Sequence, residues 1–105
     1  NMSFSPKKRY IYYVINAATS GGRFGTPVVQ YDTKTDRKKV IAFIHEFYLE
    51  KYGYGAGGTY GIELDEKGES IFFYTNGRFT TKGLSSTYGR NAIFHVHIPE
   101  SERIE

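Results

Sequence analysis

The residues best placed to do chemistry in this sequence are His95 and His97, in the run Ala92–Ile98 (AIFHVHI). Along a strand, alternate side chains share a face and recur every ~7 Å. An H-x-H pair therefore presents two imidazoles together, while Phe94, Val96 and Ile98 take the opposite, apolar face. Two such imidazoles can share a transition metal if a third ligand converges. His45 is the remaining histidine, but no local spacing brings it to the pair. Joined by a carboxylate, His95 and His97 would make a metal-dependent enzyme. Zinc sites take three or four converging ligands, and spacing supplies only two here. The plainer reading is a pair of partly exposed histidines beside a sheet, with no metal and no cofactor.

Other catalytic signatures are weaker still. The chain has no cysteine, so thiolate nucleophiles, thiolate metal sites and disulfides are excluded. Ser20, Ser85 and Ser86 stand outside any G-x-S-x-G context. Gly53–Gly61 lacks the G-x-x-x-x-G-K pattern of a phosphate loop. Asp32, Asp65 and Glu66 fall in polar turns, where carboxylates bond nearby backbone donors. The net charge of +3 is mild, and its clusters, Lys7-Lys8-Arg9 and Arg37-Lys38-Lys39, each precede an apolar run. Such residues flank strands and stay solvated, which speaks against nucleic acid as the partner.

What the chain offers instead is aromatic surface: ten Tyr and eight Phe in 105 residues, and no Trp. Tyr48, Tyr52, Tyr54 and Tyr60 lie among glycines, and clustered tyrosines give rigid contact area with a polar tip. Aromatic residues combined with arginine are the usual makeup of an interface centre. Arg23, Tyr54, Tyr60 and Arg78 are accordingly the expected ligand-binding residues, for a protein, peptide or glycan partner.

The elements that must position them read as strands over Tyr10–Ile15, Pro27–Asp32, Lys39–Ile44, Thr59–Asp65, Ser70–Thr75 and Ala92–Ile98. These runs are rich in β-branched and aromatic residues and are bounded by Gly, Pro and Asp. The segment 37–52 has two readings. Val40, Ile44, Phe47 and Tyr48 also fit one face of a helix that Gly53 would stop. We read a strand to His45 and then a short helical turn, since the preceding turn Asp32–Asp36 sets up a hairpin. Residues 48–58 then read as a long Gly- and Tyr-rich loop. In a meander, the short turns 32–37 and 65–69 fall on one edge, and the long loops 16–26, 46–58 and 76–91 on the other. Residues 1–9 and 100–105 are expected to fray around a single domain spanning 1–105. No apolar run approaches the ~18 residues of a membrane span.

The chain also nearly repeats itself. Residues 8–17 align with 68–77, placing Ile11 on Ile71, Tyr12-Tyr13 on Phe72-Phe73 and Asn16 on Asn76. Thr26–Tyr31 (TPVVQY) aligns with Asn91–Val96 (NAIFHV). A reused strand-loop-strand unit is the mark of an architecture in which each copy buries its apolar face against the next.

Gly58–Phe73 (GTYGIELDEKGESIFF), Val28–Thr35 (VVQYDTKT) and the ending FHVHIPESER resemble the repeats and final strand of TolB-type and YVTN-type bacterial β-propellers. The resemblance covers most of residues 10–103. It implies an all-β antiparallel meander of propeller-blade type and a non-catalytic binding or scaffolding module. Propellers have about 4–8 four-stranded blades, and this chain carries about one and a half. Its unpaired sheet edges would then favour self-association through strand exchange or edge pairing. The competing architecture is α+β, with the helix near 37–52 and Tyr10, Tyr12, Phe72 and Tyr74 as stacking platforms for a single-stranded nucleic acid.

Overall fold

A computed structural model describes residues 2–15, 27–79 and 90–105. It is an all-β antiparallel meander in two sheets. The first sheet holds β1 (Met2–Phe4), β2 (Tyr10–Val14), β3 (Pro27–Asp32) and β4 (Arg37–Phe43), adjacent in chain order. The helix α1 (Ile44–Tyr52) leads to the second sheet of β5 (Tyr54–Leu64), β6 (Ser70–Phe79) and β7 (Arg90–His97), also in chain order. Among the described residues no helix is long and apolar enough to cross a membrane.

Alternation within the strands sets which residues meet. Tyr10, Tyr12 and Val28 of the first sheet join Ile62, Ile71, Phe73 and Phe94 of the second in one buried cluster, completed by Ile44, Tyr54, Ala56 and Ile98. Gln30 is also buried, and its amide donates both to the Tyr12 hydroxyl (2.8 Å) and to the Glu102 carbonyl (2.8 Å). A buried amide is tolerated only when its donors are satisfied in this way.

The repeat is carried into the pairing register. Tyr12 sits opposite Gln30 and Ile11 opposite Tyr31, while their aligned counterparts pair Phe72 with His95 and Ile71 with Val96.

Several boundaries differ from the sequence reading: β4 begins at Arg37, and β6 runs to Phe79 and β7 starts at Arg90, each taking residues expected in the loop 76–91. The strand yields to helix at Ile44 rather than after His45, because Ile44 turns into the core and the helix lies against β5. The helix runs nine residues and ends at Gly53, left-handed at φ 67°, whose N–H bonds the Leu49 carbonyl at 3.0 Å. The stretch read as loop before Thr59 is instead the start of β5, with Gly55 and Ala56 paired to Arg78 and Gly77.

Neither end frays. Met2–Phe4 pairs with β2, and residues 98–105 cross back from the second sheet to the first. The Ile98 N–H donates to the Glu69 carbonyl (2.8 Å), Glu100–Glu102 form a 3-10 turn, and Tyr10 Oη donates to the Ile104 carbonyl (2.5 Å). The Glu105 carboxylate accepts from the Ser5 hydroxyl and from the Lys7 and Arg9 N–H groups, each at 3.2 Å. Arg9 then forks onto Asp32, with Nε to Oδ1 at 3.0 Å and Nη2 to Oδ2 at 2.8 Å.

This clasp makes the fold sensitive to acid. Hydrogen bonding from the Arg9 guanidinium holds the Asp32 carboxyl well below its usual range. At Glu105 desolvation opposes ionisation, but the bonds from Ser5, Lys7 and Arg9 together outweigh it and lower the pKa. Groups depressed in the folded state contribute fully above their unfolded values and lose that contribution as pH falls through the folded ones. Denaturant titrations should therefore show stability that is flat near neutrality and declines below about pH 4.5, the ordinary glutamate value. Glu105→Ala should cost about 1 kcal/mol at neutral pH and shrink that acid-dependent loss; an unchanged acid profile would show the clasp to be energetically idle.

Candidate functional site

Helix α1 leans on the second sheet through one face. Tyr48 and Tyr52, four residues apart, share that face and stack with ring centroids 5.5 Å apart at 27°. Tyr48 also meets Phe94 of β7 edge-on, centroids 4.7 Å apart at 76°. Between the helix and the sheet lies a cleft of about 360 Å³ lined by Tyr48, Tyr52, Tyr54, Asn91, Ala92, Ile93 and Phe94. No lining residue is charged. Outside it, the Lys51 ammonium lies 5.5 Å from the Tyr52 ring centroid and 5.4 Å from that of Phe47.

Of the four expected ligand-binding residues, Tyr54 and Tyr60 are placed on opposite faces of the second sheet. Tyr54 lines the cleft, but as a wall: it is 5% exposed, and its hydroxyl is 2.8 Å from Thr75 Oγ1. Tyr60 lies on the far face of the sheet, 45% exposed and stacked on Tyr74 with centroids 5.4 Å apart. Simple alternation puts residues six apart on one face, yet β5 shifts register between Ala56 and Thr59 and again between Tyr60 and Glu63. Each bulge adds a residue and reverses the side-chain sense. Gly61, at φ 63°, takes the left-handed conformation within the second bulge. The Arg78 backbone pairs with Gly55, while its side chain and the whole of Arg23 lie outside the described residues. The sequence reading missed Asn91, Ile93 and Phe94 as cleft walls. The Tyr48/Tyr52 spacing was the available signal, and it depends on the helix.

His95 and His97 do share a face, as their spacing requires. His95 lies flat on Phe72, centroids 4.8 Å apart and planes within 6°, and its Nε2 is 2.8 Å from Ser70 Oγ. Among the described residues, no three His, Asp or Glu side chains come together as a metal would need; the His45 side chain lies outside that description. The stacking platform for nucleic acid is divided by the fold. Tyr10 and Tyr12 are in the core, and only Phe72 and Tyr74 are exposed. Phe72, Tyr74, Tyr60 and Ile93 instead make an open aromatic face on the second sheet.

No protein-family model matches this chain, and neither does any curated protein or solved structure.

The cleft depends on a close backbone approach behind Tyr54. A Cβ on Gly77 would stand 2.4 Å from the Gly55 carbonyl oxygen and 2.5 Å from the Tyr54 hydroxyl. Gly77→Ala should displace Tyr54 from Thr75 and destabilise the fold by about 1–3 kcal/mol, the range for overpacking. Equilibrium unfolding with near-ultraviolet circular dichroism checks this; wild-type stability and an unchanged tyrosine signal would contradict it.

Proposed function

We propose that the chain is a non-catalytic binding or scaffolding module whose recognition site is the aromatic cleft between α1 and β7. The observation that carries this reading is a cleft of about 360 Å³ with tyrosine and phenylalanine walls and no charged lining residue. Ligand sites are commonly about 300–1,000 Å³ and mostly apolar, with a few polar groups fixing orientation. Here Asn91 is the amide in the lining, and the Tyr48 and Tyr52 rings offer flat faces. That lining suits a neutral group with a planar or weakly polar face: a sugar ring, or an aromatic or prolyl side chain of a peptide. It is ill suited to phosphate-bearing ligands, which call for cations or clustered N–H donors.

The resemblance to TolB-type and YVTN-type propellers supports reading the two meanders as about one and a half blades of a propeller-type scaffold. The cleft would then sit on its elaborated edge, where loops and helices carry recognition on a rigid frame.

Tyrosine fluorescence titrations with neutral oligosaccharides and with peptides bearing proline or aromatic residues test the reading. Saturable binding by one class is expected, and Tyr52→Ala should weaken it about tenfold or more, as for an interface anchor. Tyr52 is half exposed, so the fold should tolerate the change. Failure of both classes to bind, or binding indifferent to Tyr52→Ala, overturns the assignment of the cleft.

A further inference from the structure

The two halves of the repeat bury opposite faces. In β2 the core side chains are Tyr10 and Tyr12; in β6 they are Ile71 and Phe73. The alignment matches Tyr12 with Phe72 and Tyr13 with Phe73. Equivalent residues therefore point inward in one sheet and outward in the other. The third strand of the repeat agrees: Val28 faces the core, while its counterpart Ile93 faces out.

The interface inside the molecule thus joins unlike faces of the unit. The first sheet contributes the face bearing Tyr12, Val28 and Gln30, and the second contributes the face bearing Ile71, Phe73 and Phe94. Among the described residues, neither sheet packs another element on its other face. On the second sheet this remaining face bears Phe72, Ile93 and His95, the counterparts of the residues buried on the first. Val28 is 0% exposed and Ile93 is 82% exposed. On the first sheet the remaining face bears Ile11, Tyr13 and Val29, the counterparts of Ile71, Phe73 and Phe94; Val29 is covered at 4% exposed, and the exposed apolar side chains of this face are Met2, Phe4 and Val40, with Asp36 and Lys38 beside them. The two open faces are related to each other as the two buried faces are.

We propose that copies of this chain associate head to tail, the open face of the second sheet in one copy seating on the open face of the first sheet in the next. The occupant is a second copy because this chain itself carries both complementary surfaces. Such heterologous contacts close into rings when the rotation per step permits. With two sheets per chain, rings of about 4–8 sheets correspond to about two to four copies. Edge pairing is the poorer route. β4 presents Arg37, Lys38 and Lys39, β5 is bulged twice, β1 spans three residues, and Pro99 follows β7. The proposal concerns the sheet faces and does not rest on ligand binding in the cleft.

Light scattering on the full chain and two surface variants is the test. Phe72→Glu places a charge on the central strand of one open face, and Phe4→Glu/Val40→Glu charges the other. All three side chains are exposed, so thermal unfolding should show each variant folded. The wild type is expected to be a closed oligomer of about two to four copies at micromolar concentration, and each variant a monomer. An equimolar mixture of the variants should restore a heterodimer, because each supplies the intact face that the other lacks. A monomeric wild type would overturn the proposal by making the faces' partner something other than this chain. An oligomer indifferent to both variants would assign assembly to edges. One variant that dissociates while the other remains dimeric would mean that like faces pair, and two dissociated variants that do not recover on mixing would overturn the contact between unlike faces.

Discussion

The interaction on which the rest of this structure depends is the capture of the Glu105 carboxylate by the turn between β1 and β2. That turn carries Lys8 at φ 62°, a conformation L-residues adopt reluctantly. It presents the N–H groups of Lys7 and Arg9 and the Ser5 hydroxyl to one carboxylate. Once the Arg9 backbone is held there, its guanidinium grips Asp32, and Asp32 in turn accepts from the Lys34 N–H at 2.9 Å. The β3–β4 turn is thereby ordered from a contact made by the end of the described chain. Because residues 98–105 leave the second sheet and finish on the first, the same contact ties the two sheets together. Gln30 extends that tie into the core, reaching Glu102 from beneath.

The clasp and the cleft divide the labour of the molecule. Around the clasp, polar groups are matched by charge-assisted bonds, and such matched networks hold one geometry well. In the cleft, geometry is held from behind: Tyr54 is fixed to Thr75 by its hydroxyl, and Phe94 is packed against Phe73 with centroids 5.4 Å apart. Tyr52 is left half exposed on the helix. A cleft with a buried floor and an exposed aromatic rim would, in the proposed binding role, lose little side-chain freedom on taking up a ligand.

What could be read from the sequence was local and periodic. Runs such as Ser70–Thr75 and Pro27–Asp32 alternate cleanly and became strands. Residues 37–52 resisted because Val40, Ile44, Phe47 and Tyr48 satisfy both periods; the deciding fact, Ile44 entering a core built by both sheets, is tertiary. Tyr60 was misplaced because each β5 bulge changes the parity by which faces are counted, and glycines there signal a bend without stating its sense. The clasp was invisible for a different reason. Glu105 meets Ser5 and Arg9 across nearly the whole chain, and a lone terminal glutamate has no pattern to betray its partner. The clustered tyrosines were legible in the sequence, while Asn91, Ile93 and Phe94 joined Tyr48, Tyr52 and Tyr54 around the cleft only once the helix was known to lie against β7.

The repeat shows most plainly how sequence and structure inform each other. Its two halves align residue for residue in their strands, and an aligned pair would be expected to take equivalent faces. The register agrees between the halves, pair for pair, yet the buried parity is reversed. A sandwich built by mirroring one amphipathic sheet would bury like faces and leave two polar ones. Here the unit carries large apolar side chains on both sides, and the two sheets meet front to back. Such a stack has a direction, and adding units of the same kind moves its unpaired faces without removing them. Only closure of the stack upon itself, or a terminal unit of different composition, can end it. The described sheets contain no unit of that kind, so the exposure of Phe72 and Ile93 follows from how the sheets are joined, not from a local excess of apolar residues.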